Sequence, residues 1–290
     1  MKSKLFAALC AGIMFVASAY GAPNPSAGSD ITVANNAPPP CPRIVSQSPY
    51  LTLALTWLER GDCIVGVSRY DRELPALPRT GGVLDPDQAA IAAVRPDLVV
   101  TSNWADQSTM DAVTPKGARL LRMDGFGSMR DVEEMLQTLA RESGAPASAQ
   151  DKIADFSRQW RAIAQRLSSQ RAKTGQRVLL ISSCMGNPFS FGRQHLIGDI
   201  FAQAGFEIAE TAPKIRHLIH GQDIPNIETL INTIRPNIIV AFSNDSAKYC
   251  NVIAPRTGAK LIVLDGGPFV HPGPGLLRAW EIVQKAFDSP

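Results

Sequence analysis

A short motif of helix end, Arg-Pro pair and buried strand occurs twice in this chain, and it constrains the fold more than any other feature. Residues 91–100 read IAAVRPDLVV, and residues 231–240 read INTIRPNIIV. Proline removes a backbone donor and disfavours helical geometry at the residue before it, so each helix must end at the Arg-Pro pair. The β-branched apolar run that follows is typical of a parallel strand covered on both faces. The repeat therefore predicts two similar α/β halves, one after the other.

Each of these strands leads into a polar segment, residues 101–104 (TSNW) in the first half and residues 243–245 (SND) in the second. In open α/β sheets, ligands bind beyond the carboxyl ends of the strands. Strand-like and helical runs alternate along the rest of the chain, which predicts parallel sheets built from crossover units. We therefore expect two lobes that present their ligand-facing edges to one cleft.

A long amphipathic helix is predicted between the two halves, over residues 148–172. Its apolar stripe recurs at alternating three- and four-residue spacing and consists of Ile153, Phe156, Trp160, Ile163 and Leu167. A helix of this length spans roughly 30 Å or more, about the width of a lobe, so it can connect the lobes as a stiff strut. The predicted domains are an N-terminal α/β lobe at 41–147, this linking helix, and a C-terminal α/β lobe at 173–290.

The N-terminal segment has the pattern of a secretory signal peptide over residues 1–22. Lys2 and Lys4 precede a short apolar run, and small residues at 17–19 (ASA) provide a cleavage signal. Residues 23–40 lack periodic apolar positions and are predicted to be a disordered tether. These features predict a periplasmic protein.

The charge balance argues against a nucleic-acid partner. The formal net charge of the whole chain is +3, and two of the basic residues belong to the predicted signal peptide. A mature chain close to neutrality has no electrostatic footprint for nucleic acid or for an anionic membrane.

Four cysteines remain after the predicted signal peptide, namely Cys41, Cys63, Cys184 and Cys250. An even number of cysteines in an oxidising compartment favours disulfides. We favour Cys41–Cys63 and Cys184–Cys250, because each pair falls within one predicted lobe. Four cysteines allow three pairings, and the sequence does not choose among them.

Taken in order, several short motifs resemble those of one known family. They are RIVSQSP at 43–49, CIVGVS at 63–68, LPRTGG at 77–82, VRPDLVV at 94–100, FGR at 191–193 and HPGP at 271–274. The chain resembles the helix-linked periplasmic solute-binding proteins that deliver vitamin B12, iron-siderophores or haem to ABC importers, and is most similar to the B12-binding members. The resemblance implies two lobes with mainly parallel sheets joined by one long α-helix. It also implies a monomer that serves an inner-membrane ABC permease, with no cofactor and no enzymatic activity.

The permease-docking pattern of that family is altered in this sequence. Each lobe of the family usually shows a Glu seven residues before the Pro of the repeated motif, where this chain has Ala89 and Thr229. Glu228 lies one residue away in the second lobe, and Gln88 takes the equivalent place in the first. A shift of one residue turns a side chain by about 100° on a helix. Glu228 is our candidate for permease contact.

Three aromatic residues of the first lobe are candidates for ligand contact. Trp104 follows the repeated strand and is expected to form an aromatic wall against a flat ligand, with packing on its own lobe as the alternative. Tyr50 opens the first helix, where the family's cleft lies, and plain helix packing explains it equally well. Tyr70 follows the second strand and is expected at the rim of the cleft.

The second lobe contributes candidates from three segments. They are Met185, Asn187 and Phe189 after its first strand, His217 in the segment 216–221, and Asn244 after the repeated strand. His217 and His220 are three residues apart, yet no third metal ligand stands near them, so we expect hydrogen bonding to a ligand and no metal site.

The sequence shows no catalytic motif, such as a nucleophile elbow or a phosphate-binding loop. We expect a protein that captures a corrinoid of the vitamin B12 type. A ferric siderophore, haem, or an accessory role without a cognate importer remain the alternatives.

Overall fold

Helices and strands alternate along the chain as the sequence predicts. The computed structural model describes residues 41–171, 175–183, 188–242 and 258–288. The strands are β1 (Ile44–Ser46), β2 (Ile64–Val67), β3 (Leu98–Ser102), β4 (Arg119–Met123), β5 (Arg177–Ile181), β6 (Phe189–Phe191), β7 (Glu207–Ile208), β8 (Ile215–His217), β9 (Ile238–Ala241) and β10 (Lys260–Val263). The helices are α1 (Pro49–Trp57), α2 (Gln88–Ala93), α3 (Gln107–Val113), α4 (Met129–Glu142), α5 (Ala147–Arg171), α6 (Leu196–Gln203), α7 (Ile227–Ile234) and α8 (Leu276–Phe287).

Two separate sheets define two lobes. The first has four parallel strands in the order β2-β1-β3-β4, and with α1–α4 it forms the first lobe. The second has the order β10-β9-β5-β6-β8, with β7 beside β5, and with α6–α8 it forms the second lobe. The predicted α/β fold with two lobes and one long connecting helix is confirmed. The second sheet also contains antiparallel strands that the sequence did not reveal, since β6 pairs antiparallel with both β5 and β8.

The repeated motif has the same local structure in both lobes. Arg95 and Arg235 adopt left-handed backbone conformations, with φ of 44° and 50°, directly before their prolines. This conformation ends a helix, and proline excludes the helical alternative at that position.

An arginine at the start of each lobe's first central strand stabilises the helix end. Arg43 donates to the carbonyl oxygens of Val94 and Arg95, at 2.9 and 3.1 Å. Arg177 donates in the same way to the carbonyl oxygens of residues 234 and 235, at 2.8 and 3.1 Å. The two lobes are therefore structural repeats as well as sequence repeats.

The core alternates between the two faces of each sheet. In the first lobe, Leu98 and Val100 point into the main core, whereas Val99 packs on the opposite face with residues of α2 and α3. In the second lobe, Leu180 belongs to the main core and Leu179 packs beneath α7. Both faces of each sheet are covered, as the apolar composition of the strands requires.

The long helix α5 joins the main cores of the two lobes. Its buried residues, including Ile153, Phe156, Trp160 and Leu167, belong to one continuous apolar cluster that extends into both lobes. The ring of Trp160 stacks on Trp280 of α8, with centroids 5.8 Å apart. Its indole nitrogen donates to Glu133 of α4 at 2.8 Å, and Arg161 pairs with the other oxygen of that buried carboxylate at 2.5 Å. One side chain of the connecting helix thus contacts both lobes.

The chain from Pro38 onward forms one compact unit. The predicted signal peptide and tether, residues 1–40, lie outside the described residues. Among the residues that are described, no helix is long and apolar enough to cross a membrane.

We predict that Trp160→Ala lowers the free energy of unfolding by roughly 3–5 kcal/mol, because it removes a large buried ring. Trp160→Phe keeps an aromatic ring against Trp280 but leaves the Glu133 oxygen without its indole donor, which should cost about 1–3 kcal/mol. Urea unfolding curves of the three proteins test this order. Equal stability of wild type and Trp160→Phe would show that the hydrogen bond to Glu133 contributes nothing.

The structure contains the Cys41–Cys63 disulfide, with the two Cα atoms 5.9 Å apart. It joins the chain ahead of β1 to the entrance of the neighbouring strand β2. Cys184 and Cys250 lie outside the described residues, so their pairing stays a prediction.

We predict that the chain after the predicted signal peptide contains no free thiol, because Cys41 and Cys63 are bonded and we expect Cys184 and Cys250 to pair in the predicted oxidising compartment. Thiol titration under denaturing, non-reducing conditions should detect none. Two reactive thiols per chain would mean that Cys184 and Cys250 are not bonded to each other.

Candidate functional site

Two adjoining cavities open between the lobes. The larger has a volume of about 980 Å³ and the smaller about 560 Å³. Both are bordered by Trp104, Phe126, His195 and Ile215, so the two cavities are compartments of one cleft. On the side of the first lobe, the lining comes from the loops after β3 and β4. The cleft therefore lies at the carboxyl ends of the strands, where the sequence predicts it.

The first lobe contributes an aromatic wall. Trp104 stacks on Phe126 with ring centroids 4.9 Å apart and an interplanar angle of 25°. Two backbone contacts hold the loop, since Ser102 Oγ accepts from the Trp104 amide at 3.3 Å and Arg122 donates to the Asn103 carbonyl at 2.9 Å. Trp104 remains 66% exposed, a large apolar face that is available to a ligand.

Tyr50 supports this wall from beneath. Its ring packs edge-on against Phe126, with centroids 5.4 Å apart, and stacks on His271 at 6.0 Å. Tyr50 is only 4% exposed and borders neither cavity, and burial raises its pKa to about 12. Its hydroxyl therefore stays protonated, and its ring positions Phe126.

The second lobe provides the opposite, mainly apolar wall of the smaller cavity. Phe242 lies between Phe191 and Phe269, with centroid distances of 5.8 and 4.9 Å. Phe189 and Val270 complete this side. Apolar groups on both sides make the smaller cavity suited to a flat, largely apolar body.

The larger cavity has a polar lining that includes Glu210, a buried carboxylate that is paired with the partly buried Arg216. The carboxylate of Glu210 accepts from Arg216 Nε at 3.0 Å and Nη2 at 2.9 Å, from the Ala212 amide at 2.7 Å, and from the Ser190 hydroxyl. Burial raises the pKa of the Glu210 carboxyl, but these hydrogen bonds outweigh burial and hold the pKa below its ordinary value. Arg216 is thereby committed to Glu210.

Acidic side chains outnumber basic ones in the described lining of the two cavities. The basic residues are Arg193 and Lys214. The acidic residues are Asp124, Asp131, Asp199, Glu210 and Asp265. This lining is electrostatically unfavourable for a strongly anionic ligand.

Asp199 connects the lobes at the base of the cleft. Its Oδ2 atom, on α6 of the second lobe, accepts from the Met129 amide at the start of α4 in the first lobe, at 2.9 Å. Burial raises the pKa of the Asp199 carboxyl, and the hydrogen bond from Met129 opposes this only in part. The charged form of Asp199 is therefore held at a cost in stability.

We predict that Asp199→Asn raises the melting temperature near neutral pH, because an amide oxygen can still accept from Met129 without desolvating a charge. The pKa of Asp199 is higher in the folded than in the unfolded state, so wild type loses stability as pH rises between these values. The advantage of the variant should be absent below about pH 3, where the carboxyl is protonated in both states, and should reach a plateau above the folded-state pKa. Thermal unfolding between these limits tests this.

Asp62→Asn, which changes an exposed carboxylate of the first lobe, is the matched control and should show no such pH-dependent gain. A variant of Asp199 that is less stable than wild type at neutral pH would contradict the prediction.

His195 stands at the boundary of the two cavities. It precedes α6, and its Nδ1 atom accepts from the Ile197 amide at 3.2 Å. Burial, together with the charge of Lys214, lowers its pKa to about 4. The imidazole is therefore neutral at physiological pH.

The structure places the predicted ligand contacts in different surroundings. Trp104 and Phe189 border the cleft. His217 ends β8 with its ring 5.8 Å from that of Phe189, but it is exposed and borders neither cavity. Tyr70 is 64% exposed outside both cavities, beside Arg69. Met185, Asn187 and Asn244 lie outside the described residues. No group of three or more potential metal ligands occurs in the described part of the chain.

Several lining residues were not identified from the sequence. They are Phe126, His195, Glu210, Phe242 and Val270. His195 had a local signal, since it stands directly before an apolar helical run in the segment that follows Phe191-Gly192-Arg193. Glu210 and Phe126 had none, because their roles depend on partners from other segments.

The family model of the periplasmic binding proteins matches residues 51–252, more than half of the chain. The chain belongs to the periplasmic binding protein family. No curated protein sequence matches it significantly.

Solved structures of this family share the fold at low sequence identity. The periplasmic vitamin B12 binding protein BtuF of Vibrio cholerae is 19% identical with a TM-score of 0.67, covering 86% of this chain and 97% of that one. A periplasmic heme binding protein from Pseudomonas aeruginosa is 21% identical with a TM-score of 0.66, covering 86% and 94%. The iron uptake ABC transporter substrate-binding protein PiuA from Streptococcus pneumoniae is 19% identical with a TM-score of 0.65, covering 84% and 93%. At these identities the likeness establishes the fold of this periplasmic binding protein.

Proposed function

We propose that this periplasmic binding protein captures a corrinoid of the vitamin B12 type in the cleft between its lobes. The observation that carries the proposal is the aromatic wall of Trp104 and Phe126, which faces an apolar wall of the second lobe. A flat macrocycle presents a broad apolar face, and aromatic side chains bind such faces with large contact area. The adjoining polar cavity provides room for the amide groups at the periphery of such a ring.

The charge of the cavity lining favours a corrinoid over the anionic alternatives. Ferric siderophores are usually anionic chelates, and haem carries two carboxylates, so both are favoured by cationic side chains. The cations of the described lining are Arg193 and Lys214, and Arg216, which lines neither cavity, is paired with buried Glu210. A corrinoid whose periphery carries mainly neutral amides fits this acid-rich cleft better.

Haem is the second candidate, because the same aromatic wall suits a porphyrin and several structural neighbours are described as heme-binding proteins. Titration of tryptophan fluorescence with cyanocobalamin, hemin and a panel of ferric siderophores distinguishes the three ligands. Micromolar or tighter binding of cyanocobalamin alone supports the proposal. No binding of cyanocobalamin at micromolar concentrations, by fluorescence and by calorimetry, overturns it.

We further propose that the protein is exported to the periplasm as a monomer and delivers its ligand to an inner-membrane ABC permease. Glu228 is exposed in the first turn of α7, with no ion-pair partner in the described chain, which leaves its carboxylate available for docking. The matching turn of α2 has neutral Gln88 and Ala89. A protein that binds ligand but never stimulates a permease would instead be an accessory factor.

We predict that Trp104→Ala weakens cyanocobalamin binding at least about thirtyfold, because truncating a central aromatic anchor typically costs about 2 kcal/mol or more. The melting temperature should stay nearly constant, since the ring is 66% exposed. Calorimetric titration and thermal unfolding of the same preparations provide both measurements.

Leu84→Ala is the control for this substitution, because Leu84 is a 78% exposed apolar residue of the first lobe that borders neither cavity. It should bind like wild type. A Trp104→Ala protein that binds normally but unfolds early would show that Trp104 serves packing.

A further inference from the structure

Close packing of the backbone on either side of His195 in the sequence fixes its position. A Cβ atom on Gly192 would lie 1.8 Å from the Ala212 carbonyl oxygen, and one on Gly198 would lie 1.9 Å from the Gly192 oxygen, so neither glycine tolerates a side chain. The next amide, that of Leu196, donates to the Phe126 carbonyl of the opposite lobe at 2.6 Å. The imidazole itself packs against Phe191, with ring centroids 4.8 Å apart.

The hydrogen bond to the backbone determines which ring nitrogen carries the proton. Nδ1 accepts from the Ile197 amide, so its lone pair points at that donor. A neutral imidazole has a single N–H, which must then be on Nε2. Among the described residues, Nε2 has no hydrogen-bond partner, and the side chain borders both cavities.

This arrangement is the reverse of that found in metal-binding histidines. Such a histidine coordinates through the lone pair of one nitrogen and donates the proton on the other nitrogen to a carbonyl or carboxylate. Here the inner nitrogen, Nδ1, accepts a hydrogen bond from a backbone amide, and the outer nitrogen, Nε2, carries the proton and is the donor. In this tautomer His195 cannot offer Nε2 as a ligand to iron or cobalt.

We propose that His195 determines ligand specificity by donating a hydrogen bond from Nε2 to an oxygen at the periphery of the bound ligand, where the two cavities meet. The proposal rests on the proposed function for the identity of the ligand, since amide and carboxylate oxygens are the acceptors that corrinoids and porphyrins offer. Aromatic walls bind the face of a flat macrocycle, but they discriminate little between its rotational orientations within its own plane. A fixed donor at the boundary of the cavities selects one rotational setting.

The first test needs no ligand. Long-range ¹H–¹⁵N correlation spectra of histidine-labelled protein near neutral pH should show the Nε2–H tautomer for the signal that disappears in His195→Asn. Observation of the Nδ1–H tautomer for that signal overturns the proposal.

The second test uses ligand and a variant that conserves the helix cap. His195→Asn retains a side-chain oxygen that can accept from the Ile197 amide, because asparagine is a favourable residue before a helix, but it lacks the outer donor. We expect only a small loss of thermal stability, from the lost packing on Phe191, and about tenfold weaker binding of cyanocobalamin, which corresponds to a hydrogen bond of about 1.4 kcal/mol. Gln222→Ala is the control, an exposed polar residue of the second lobe that borders neither cavity, and should bind like wild type. Equal affinity of His195→Asn and wild type overturns the proposal.

Hemin separates failure of this proposal from failure of the corrinoid assignment. If hemin binds and cyanocobalamin does not, the corrinoid assignment fails. His195 is then still supported as a donor by two results. These are the Nε2–H tautomer, and an absorption spectrum of bound hemin that is the same in wild type and His195→Asn. A change of the Soret band and of the electron paramagnetic resonance signal in His195→Asn would identify it as an iron ligand and overturn the proposal. If neither binds, the proposal fails together with the corrinoid assignment, whatever the tautomer.

Discussion

The arrangement of the cleft depends on the packing of α5, in which Trp160 contacts both lobes at once. Its ring stacks on Trp280 in the second lobe, and its indole donates to Glu133 in the first. A flexible linker would let the lobes separate, whereas a packed helix with a directional hydrogen bond fixes their spacing. That spacing is what allows the Leu196 amide to reach the Phe126 carbonyl and Asp199 to reach the Met129 amide across the base of the cleft.

The two lobes end the helix of the repeated motif in the same way, but they differ in the strands that follow. In both, a left-handed Arg precedes Pro, and an arginine from the first central strand, Arg43 or Arg177, donates to the last carbonyls of the helix. This brings the carboxyl ends of the central strands to the cleft. The second lobe then adds the antiparallel strands β6 and β8, and Ser190 of β6 and Arg216 of β8 both bind the carboxylate of Glu210, which lines the polar cavity. The repeated motif thus forms the common framework of both lobes, whereas the antiparallel strands found in the second lobe contribute to the polar part of the site.

How much the sequence predicts depends on whether a signal is local. Helix ends at proline, the stripe of α5 and the aromatic residue after β3 are local patterns, and all are present in the structure. The strands β6 and β8 are three residues each, too short for periodicity to reveal. Tyr50 is buried because Phe126 and His271, from distant segments, cover its ring. The proposed role of His195 depends on a capping contact with the Ile197 amide, which is local in sequence. That contact matters for a ligand only because the folded chain places the imidazole beside both cavities, which the sequence does not show.

The chemistry of the cleft favours reversible capture of a ligand that is held without ion pairs. The buried carboxylate of Glu210, which lines the polar cavity, is paired with the partly buried Arg216 and so is already neutralised within the protein. The cleft also offers the apolar surface of Trp104, the apolar wall facing it and the imidazole of His195, beside the two lining cations Arg193 and Lys214. Apolar burial contributes about 25 cal/mol per Å², and association costs offset part of it, so under the proposed function a large flat ligand is expected to bind more tightly than one of few atoms. Selection by size and shape thus comes from the aromatic wall, and selection by orientation comes from the few fixed polar atoms around it.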